Sequence, residues 1–269
     1  MKKKLLMLLP IFILVFFMSS ALLKPASLPL FTTNTAVLQP ATIQASVNGT
    51  TNPILESVSN LSVEHAYTLI DFKDHERPNL LCFAKSFEAY KTLVANDVVE
   101  NFYLTIVDFS LSSVEKRLWV IDMQNYQVVL NSLVAHGQKS GDEFATQFSN
   151  INNSHQSSLG IFLTGEVYTG RNGLSLRLDG LNARLNGLAR SRGIVIHGAD
   201  YVSESFIESN GRLGRSQGCP AVSTQLNADL IDLIKEKSVL FIYHPSLESS
   251  VATQPLKKLN LQGIEKRNI

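Results

Sequence analysis

Between Phe102 and Tyr243 the chain breaks into short runs of aromatic and β-branched residues bounded by Gly, Asn and Ser, and this pattern limits it to a mainly β fold. The runs are Phe102–Phe109, Arg117–Asp122, Tyr126–Val134, Gly160–Tyr168, Leu174–Leu178, Gly193–His197 and Val239–Tyr243. Turn-forming residues such as Thr169-Gly170-Arg171-Asn172-Gly173 separate them. Two segments carry helical spacing instead. Phe83, Phe87, Tyr90, Leu93 and Val94 share one face, as do Leu226, Leu230, Leu233 and Ile234, with Thr224 placed to cap the second helix. The expectation is a mainly β domain with a few peripheral α-helices, at whose open end the chemistry described below resides.

Outside that region the sequence changes character. Met1-Lys2-Lys3-Lys4, an apolar stretch from Leu5 to Met18 and Ser19-Ser20-Ala21 match the charged, apolar and small-residue regions of a signal peptide over residues 1–21. The apolar stretch is shorter than the roughly 20 residues that cross a bilayer as a helix, and Pro10 interrupts it. This predicts an exported protein of the periplasm or cell envelope, tethered to the membrane only if the leader is uncleaved. Residues 22–60 are rich in Ser, Thr, Asn, Ala and Pro without an apolar period and read as a disordered linker. Residues 61–100 read as a helical segment packed on the domain, 101–247 as the domain itself, and 248–269 as a solvated tail.

With 24 Lys and Arg against 23 Asp and Glu, net charge predicts no nucleic-acid partner. Cys82 lies in Leu80-Leu81-Cys82-Phe83-Ala84, where a free cysteine behaves as a small buried hydrophobe, so no disulfide is expected in spite of export. Cys219 is different. It stands between Gly218 and Pro220 in the polar loop Arg212-Leu213-Gly214-Arg215-Ser216-Gln217, just before a helix. Two arginines and the N–H groups of a helix start would favour the thiolate and lower the thiol pKa from its free value of about 8.5. Gly218 allows close backbone approach, so that N–H groups beside the sulfur can hold an oxyanion.

A cysteine nucleophile requires a base, and His197, ending the run Gly193-Ile194-Val195-Ile196-His197 and followed by Gly198, is the best placed. Residue types alone leave two readings open, a catalytic Cys–His pair or a structural histidine beside an inert thiol. One cysteine and one histidine fall short of the three or four protein ligands of a zinc site, so neither metal nor cofactor is implied. His136 reads as part of a structural turn, and His65, His75, His155 and His244 as solvated residues.

Several segments occur in a telling order: Ala135-His136-Gly137, Ser158-Leu159-Gly160-Ile161-Phe162, Thr164-Gly165-Glu166, Ser175-Leu176-Arg177-Leu178, Ile196-His197-Gly198-Ala199, and Gly211 through Pro220. Together they resemble the catalytic domain of murein L,D-transpeptidases, the YkuD-like fold, in the variant branch found in exported bacterial proteins. The resemblance runs from about Phe102 to Tyr243. In the common form of that family a histidine is followed further along by Ser or Thr and then His-Gly-Cys. Here Gln217 stands in place of the second histidine, and the gap from His197 to Ser216 is slightly longer. An amide can still donate a hydrogen bond.

The resemblance implies a cysteine acyltransferase that takes peptidoglycan stem peptides as partners, with Cys219 as nucleophile, His197 as base and the Gly198 carbonyl orienting the imidazole. Arg212 and Arg215 would then bind substrate carboxylates as planar forks, or else serve as surface charges that solvate the loop. Tyr168, Ser216, Gln217 and Gly218 would line the same cleft. Three alternatives stay open: an L,D-carboxypeptidase using water as acceptor, another exported cysteine peptidase, and a wall-binding module without turnover.

Overall fold

The computed structural model describes residues 58 and 60–249, so the expected signal peptide, nearly all of the linker and most of the tail lie outside the described residues. Eight strands form one sheet in the order β3-β2-β1-β8-β4-β5-β6-β7. They are β1 (Tyr103–Asp108), β2 (Leu118–Asp122), β3 (Gln127–Ser132), β4 (Gly160–Gly170), β5 (Gly173–Gly180), β6 (Val195–Gly198), β7 (Ala221–Val222) and β8 (Val239–Tyr243). Most neighbours are antiparallel, while β1 with β8 and β6 with β7 run parallel.

The central strands are covered on both faces, and their side chains divide with the two-residue period of a strand. Leu104, Ile106, Trp119, Ile121, Val239 and Phe241 enter one core cluster. Their alternates Val107, Leu118, Val120, Leu240 and Ile242 enter another. This double burial explains why the β2 and β8 runs are continuously apolar rather than alternating.

The first cluster is closed by α1 (Val63–Leu69) and α2 (Leu80–Ala95). Asn79 caps α2 by accepting from the Cys82 N–H at 2.8 Å, and its amide donates to the Asp108 carboxylate at 2.9 Å, tying the helix start to the end of β1. Cys82 is buried, as its apolar setting predicts. Val58, two residues before the expected end of the linker, is itself fully buried in this cluster. α3 (Glu204–Asn210), which the sequence pattern does not signal, is capped by Ser203 and stopped by Gly211 at φ +72°.

The second cluster is closed by α4 (Thr224–Ile234). Its N-cap is Ser223, not Thr224: the Ser223 side chain accepts from the Leu226 N–H, while the Thr224 hydroxyl donates to Asp200. The strand expected at Gly193–His197 begins two residues later, because Gly193 takes a left-handed φ of +67°. α5 (Ser246–Ser249) reaches into the expected tail, and Glu248 pairs with Lys85 of α2 at 3.3 Å. No helix among the described residues is long and apolar enough to cross a membrane.

Candidate active site

β6 brings the histidine and the cysteine together. His197 registers with Ser175 of β5 on one side and with Ala221 of β7 on the other, and Cys219 lies two residues before Ala221. Both residues line one cleft of about 600 Å³. The loop that carries Cys219 is held by residues 135–138. Ala135 and Ala221 exchange N–H to carbonyl bonds, Ser216 N–H donates to the His136 carbonyl at 2.9 Å, and Gln138 N–H donates to the Ser216 carbonyl at 2.8 Å.

Two glycines allow this crowding. A Cβ at Gly137 would stand 2.6 Å from the His155 carbonyl oxygen and 2.8 Å from the Gly218 Cα. Gly218 has φ +120°, and a Cβ there would stand 2.9 Å from the Gln156 carbonyl oxygen. Both positions exclude any side chain.

Ser216 shapes the turn into the cysteine. Its hydroxyl donates to the Cys219 carbonyl at 2.6 Å and accepts from the Gly218 N–H at 3.0 Å. The Gly218 N–H is therefore engaged by Ser216, which takes it out of the N–H groups beside the sulfur expected to hold an oxyanion. Ser157 completes the support, accepting from Gly137 N–H at 2.9 Å and donating to the Gly218 carbonyl at 3.2 Å.

His197 is buried, and its Nδ1 lies 2.9 Å from the Gly198 carbonyl. A carbonyl only accepts, so Nδ1 carries the proton and Nε2 is the basic nitrogen of the neutral ring. The Cys219 thiol donates to the Gly193 carbonyl at 3.6 Å. Burial pushes its pKa up, while the Val195 N–H and the positive charge of Arg192 pull it down without cancelling the effect of burial. The sequence-based expectation of a lowered thiol pKa in the resting protein is thus reversed. The positive charge comes from Arg192 rather than from Arg212 and Arg215, and β7 and the Ser223 cap separate Cys219 from the start of α4.

The model of the L,D-transpeptidase catalytic domain family matches residues 74–243. The chain belongs to that family. The match starts well before Phe102, so α2 is part of the matched domain. No curated protein matches the chain. Among solved structures, an L,D-transpeptidase from Mycobacterium smegmatis is similar at 13% identity and a TM-score of 0.33, with 53% of this chain and 59% of that one covered. An L,D-transpeptidase from Stackebrandtia nassauensis is similar at 11% identity and a TM-score of 0.33, with 71% of this chain and 89% of that one covered. The chain thus spans less than two thirds of the Mycobacterium protein.

Within this L,D-transpeptidase domain the residues singled out from sequence separate into two groups. Cys219, His197, Gly198, Arg215, Ser216 and Gln217 line the cleft. Arg215 does so with its guanidinium already bonded to the Gly141 carbonyl and the Asp142 carboxylate. Arg212, Tyr168 and Gly218 are not among the cleft-lining residues, Gly218 because its backbone is packed against Gln156 and Arg192. Arg212 donates to its neighbour's carbonyl at Leu213, and the Tyr168 ring lies under the Arg177 guanidinium at 4.3 Å.

His136 is structural in a specific way. Its Nδ1 accepts from the buried Arg117 at 2.9 Å, and burial together with that cation lowers its pKa to about 4. His155, read from sequence as solvated, instead lines the cleft, with Nδ1 accepting from the Gln138 amide at 2.8 Å. Arg192 was missed as well, although a basic residue directly before Gly193 and the histidine strand is a signal the sequence does contain.

Proposed function

We propose that this protein is an exported cysteine L,D-transpeptidase that acts on peptidoglycan tetrapeptide stems through a thioester on Cys219. The observation that carries this reading is the shared cleft of Cys219 and His197, in which the Nδ1–H to Gly198 bond leaves Nε2 as the base. Membership of the family supports the substrate class, and the leader-like N-terminus supports export to the cell envelope.

In the proposed reaction His197 Nε2 takes the thiol proton as Sγ attacks the carbonyl of the third stem residue. The C–N bond to the terminal D-amino acid breaks, and His197 returns the proton to the leaving amine. With Gly218 N–H engaged and Pro220 lacking one, the Cys219 N–H is the donor we assign to the oxyanion. An acceptor amine from a second stem then attacks the thioester and frees Sγ. Water in its place gives a carboxypeptidase.

Intact mass of the purified domain, wild type and Cys219→Ala, after incubation with a carbapenem and separately with a tetrapeptide wall fragment, tests the reading. The expected result is a covalent adduct and D-alanine release that both depend on Cys219. A thiol that still reacts with iodoacetamide yet gives neither adduct nor product refutes transpeptidation and favours a wall-binding module. Release without cross-linked product assigns water as acceptor.

A further inference from the structure

Residues 149–158 contain no helix or strand, yet they contribute Asn153 and His155 to the wall of the cleft. Both residues have left-handed φ, +60° and +55°, a conformation that persists only where surrounding contacts hold it. His155 itself is held by Gln138 and the Lys139 N–H, and four bonds from the residues flanking Asn153 and His155 converge on Arg192. Its Nη1 donates to the Ser149 carbonyl at 2.6 Å and the Ser158 hydroxyl at 2.5 Å, and its Nη2 donates to the Ser154 hydroxyl at 3.1 Å and the Gln156 carbonyl at 2.7 Å. The same Nη2 lies 3.5 Å from the point where a Gly218 Cβ would stand, so the guanidinium sits between this loop and the backbone next to the nucleophile.

The partners of Arg192 matter as much as its place. They are two carbonyls and two hydroxyls, so these bonds leave its charge unneutralised, whereas Arg215 is paired with Asp142. We propose that Arg192 is the positioning residue of the nucleophile: its guanidinium clamps the 149–158 loop against Gly218 and Cys219 and supplies the positive charge that favours the Cys219 thiolate. The planar fork suits arginine, since one side chain reaches four acceptors while holding a fixed charge. Burial lowers the Arg192 pKa and raises that of Cys219, and the attraction between the two charges opposes both shifts. The other titratable and charged groups lining the cleft are His197, Asp200, Tyr201, His155, Arg171 and Arg215.

The inference rests on the transpeptidase reading only for its consequence for turnover, because thiol reactivity is measurable without substrate. The test is the pH dependence of iodoacetamide alkylation of Cys219 in the full chain, compared among wild type, Arg192→Gln and Arg192→Lys, with amide exchange of residues 149–158 followed in parallel. Arg192→Gln is expected to move the alkylation profile to higher pH, with an about tenfold slower reaction near neutrality. Arg192→Lys is expected to hold the profile within a few-fold while exchange in the loop rises about tenfold, because a point charge cannot replace the fork. A Gln variant that melts earlier with an unchanged profile shows a merely structural arginine and overturns the proposal. If Arg192→Gln does not fold, the Lys variant decides, and unchanged loop exchange in it overturns the proposal. A shifted profile in a protein that forms no acyl-enzyme would sink the transpeptidase reading and leave this one standing.

Discussion

Ser216 bridges Gly218 and Cys219, two and three residues on, accepting from the Gly218 N–H and donating to the Cys219 carbonyl. Ser216→Ala leaves two polar groups of a buried turn without that partner, at a cost of about 1–3 kcal/mol. The expected outcome is a lower Tm and D-alanine release at least about tenfold slower, because Sγ is no longer aimed by a fixed turn. Undiminished turnover in that variant would show the hydroxyl to be dispensable. At this scale the sequence is informative where the contact is local: Ser216, Gly218 and Cys219 lie within four residues of one another, and the Gly198 carbonyl follows His197 directly. It is uninformative where the contact crosses the fold. Arg212 is closer to Cys219 in the chain than Arg192, yet it turns to the Leu213 carbonyl, while Arg192 comes up to the backbone beside Cys219 in a fold where β6 and β7 are paired.

α4 shows the same division for an element. Its apolar face is written in Leu226, Leu230, Leu233 and Ile234, and the observed helix matches that spacing. Its first residue is not, because Ser223 and Thr224 are both good caps by type. The structure decides between them by giving the Thr224 hydroxyl another partner, Asp200. Ser223→Ala is therefore expected to cost about 1 kcal/mol in chemical denaturation and Thr224→Ala less. Equal losses would show that both hydroxyls contribute to the cap. The helix matters to the site because a Cβ at Gly198 would stand 3.1 Å from Asn227 and Thr224, so α4 packs directly on the residue whose carbonyl holds His197.

For the molecule as a whole, the buried pair Arg117 and His136 links folding to pH. Arg117 donates to the Val134 and Leu111 carbonyls and to His136 Nδ1, which keeps the imidazole neutral. The folded-state pKa of His136, about 4, lies below its ordinary 6.5. The unfolded chain therefore binds the extra proton first, and this contribution is complete above pH 6.5 and is lost as pH falls towards 4. Its size is on the order of 3 kcal/mol at about 1.4 kcal/mol per pH unit. Urea unfolding from pH 7 to 4 is expected to show that slope in the wild type and a flatter profile in His136→Gln. Equal slopes would assign the acid sensitivity to other groups. The sequence by itself determined the β class, the two principal helices, and the candidate cysteine and histidine that share the cleft, because strand period, helix period and loop chemistry are properties of neighbouring residues. The tertiary structure decided which cation faces the thiol, that Ser223 rather than Thr224 caps α4, and that His155 enters the cleft. Those outcomes depend on contacts between segments separated in the chain, such as Thr224 with Asp200 and Gln138 with His155, which only the folded structure brings together.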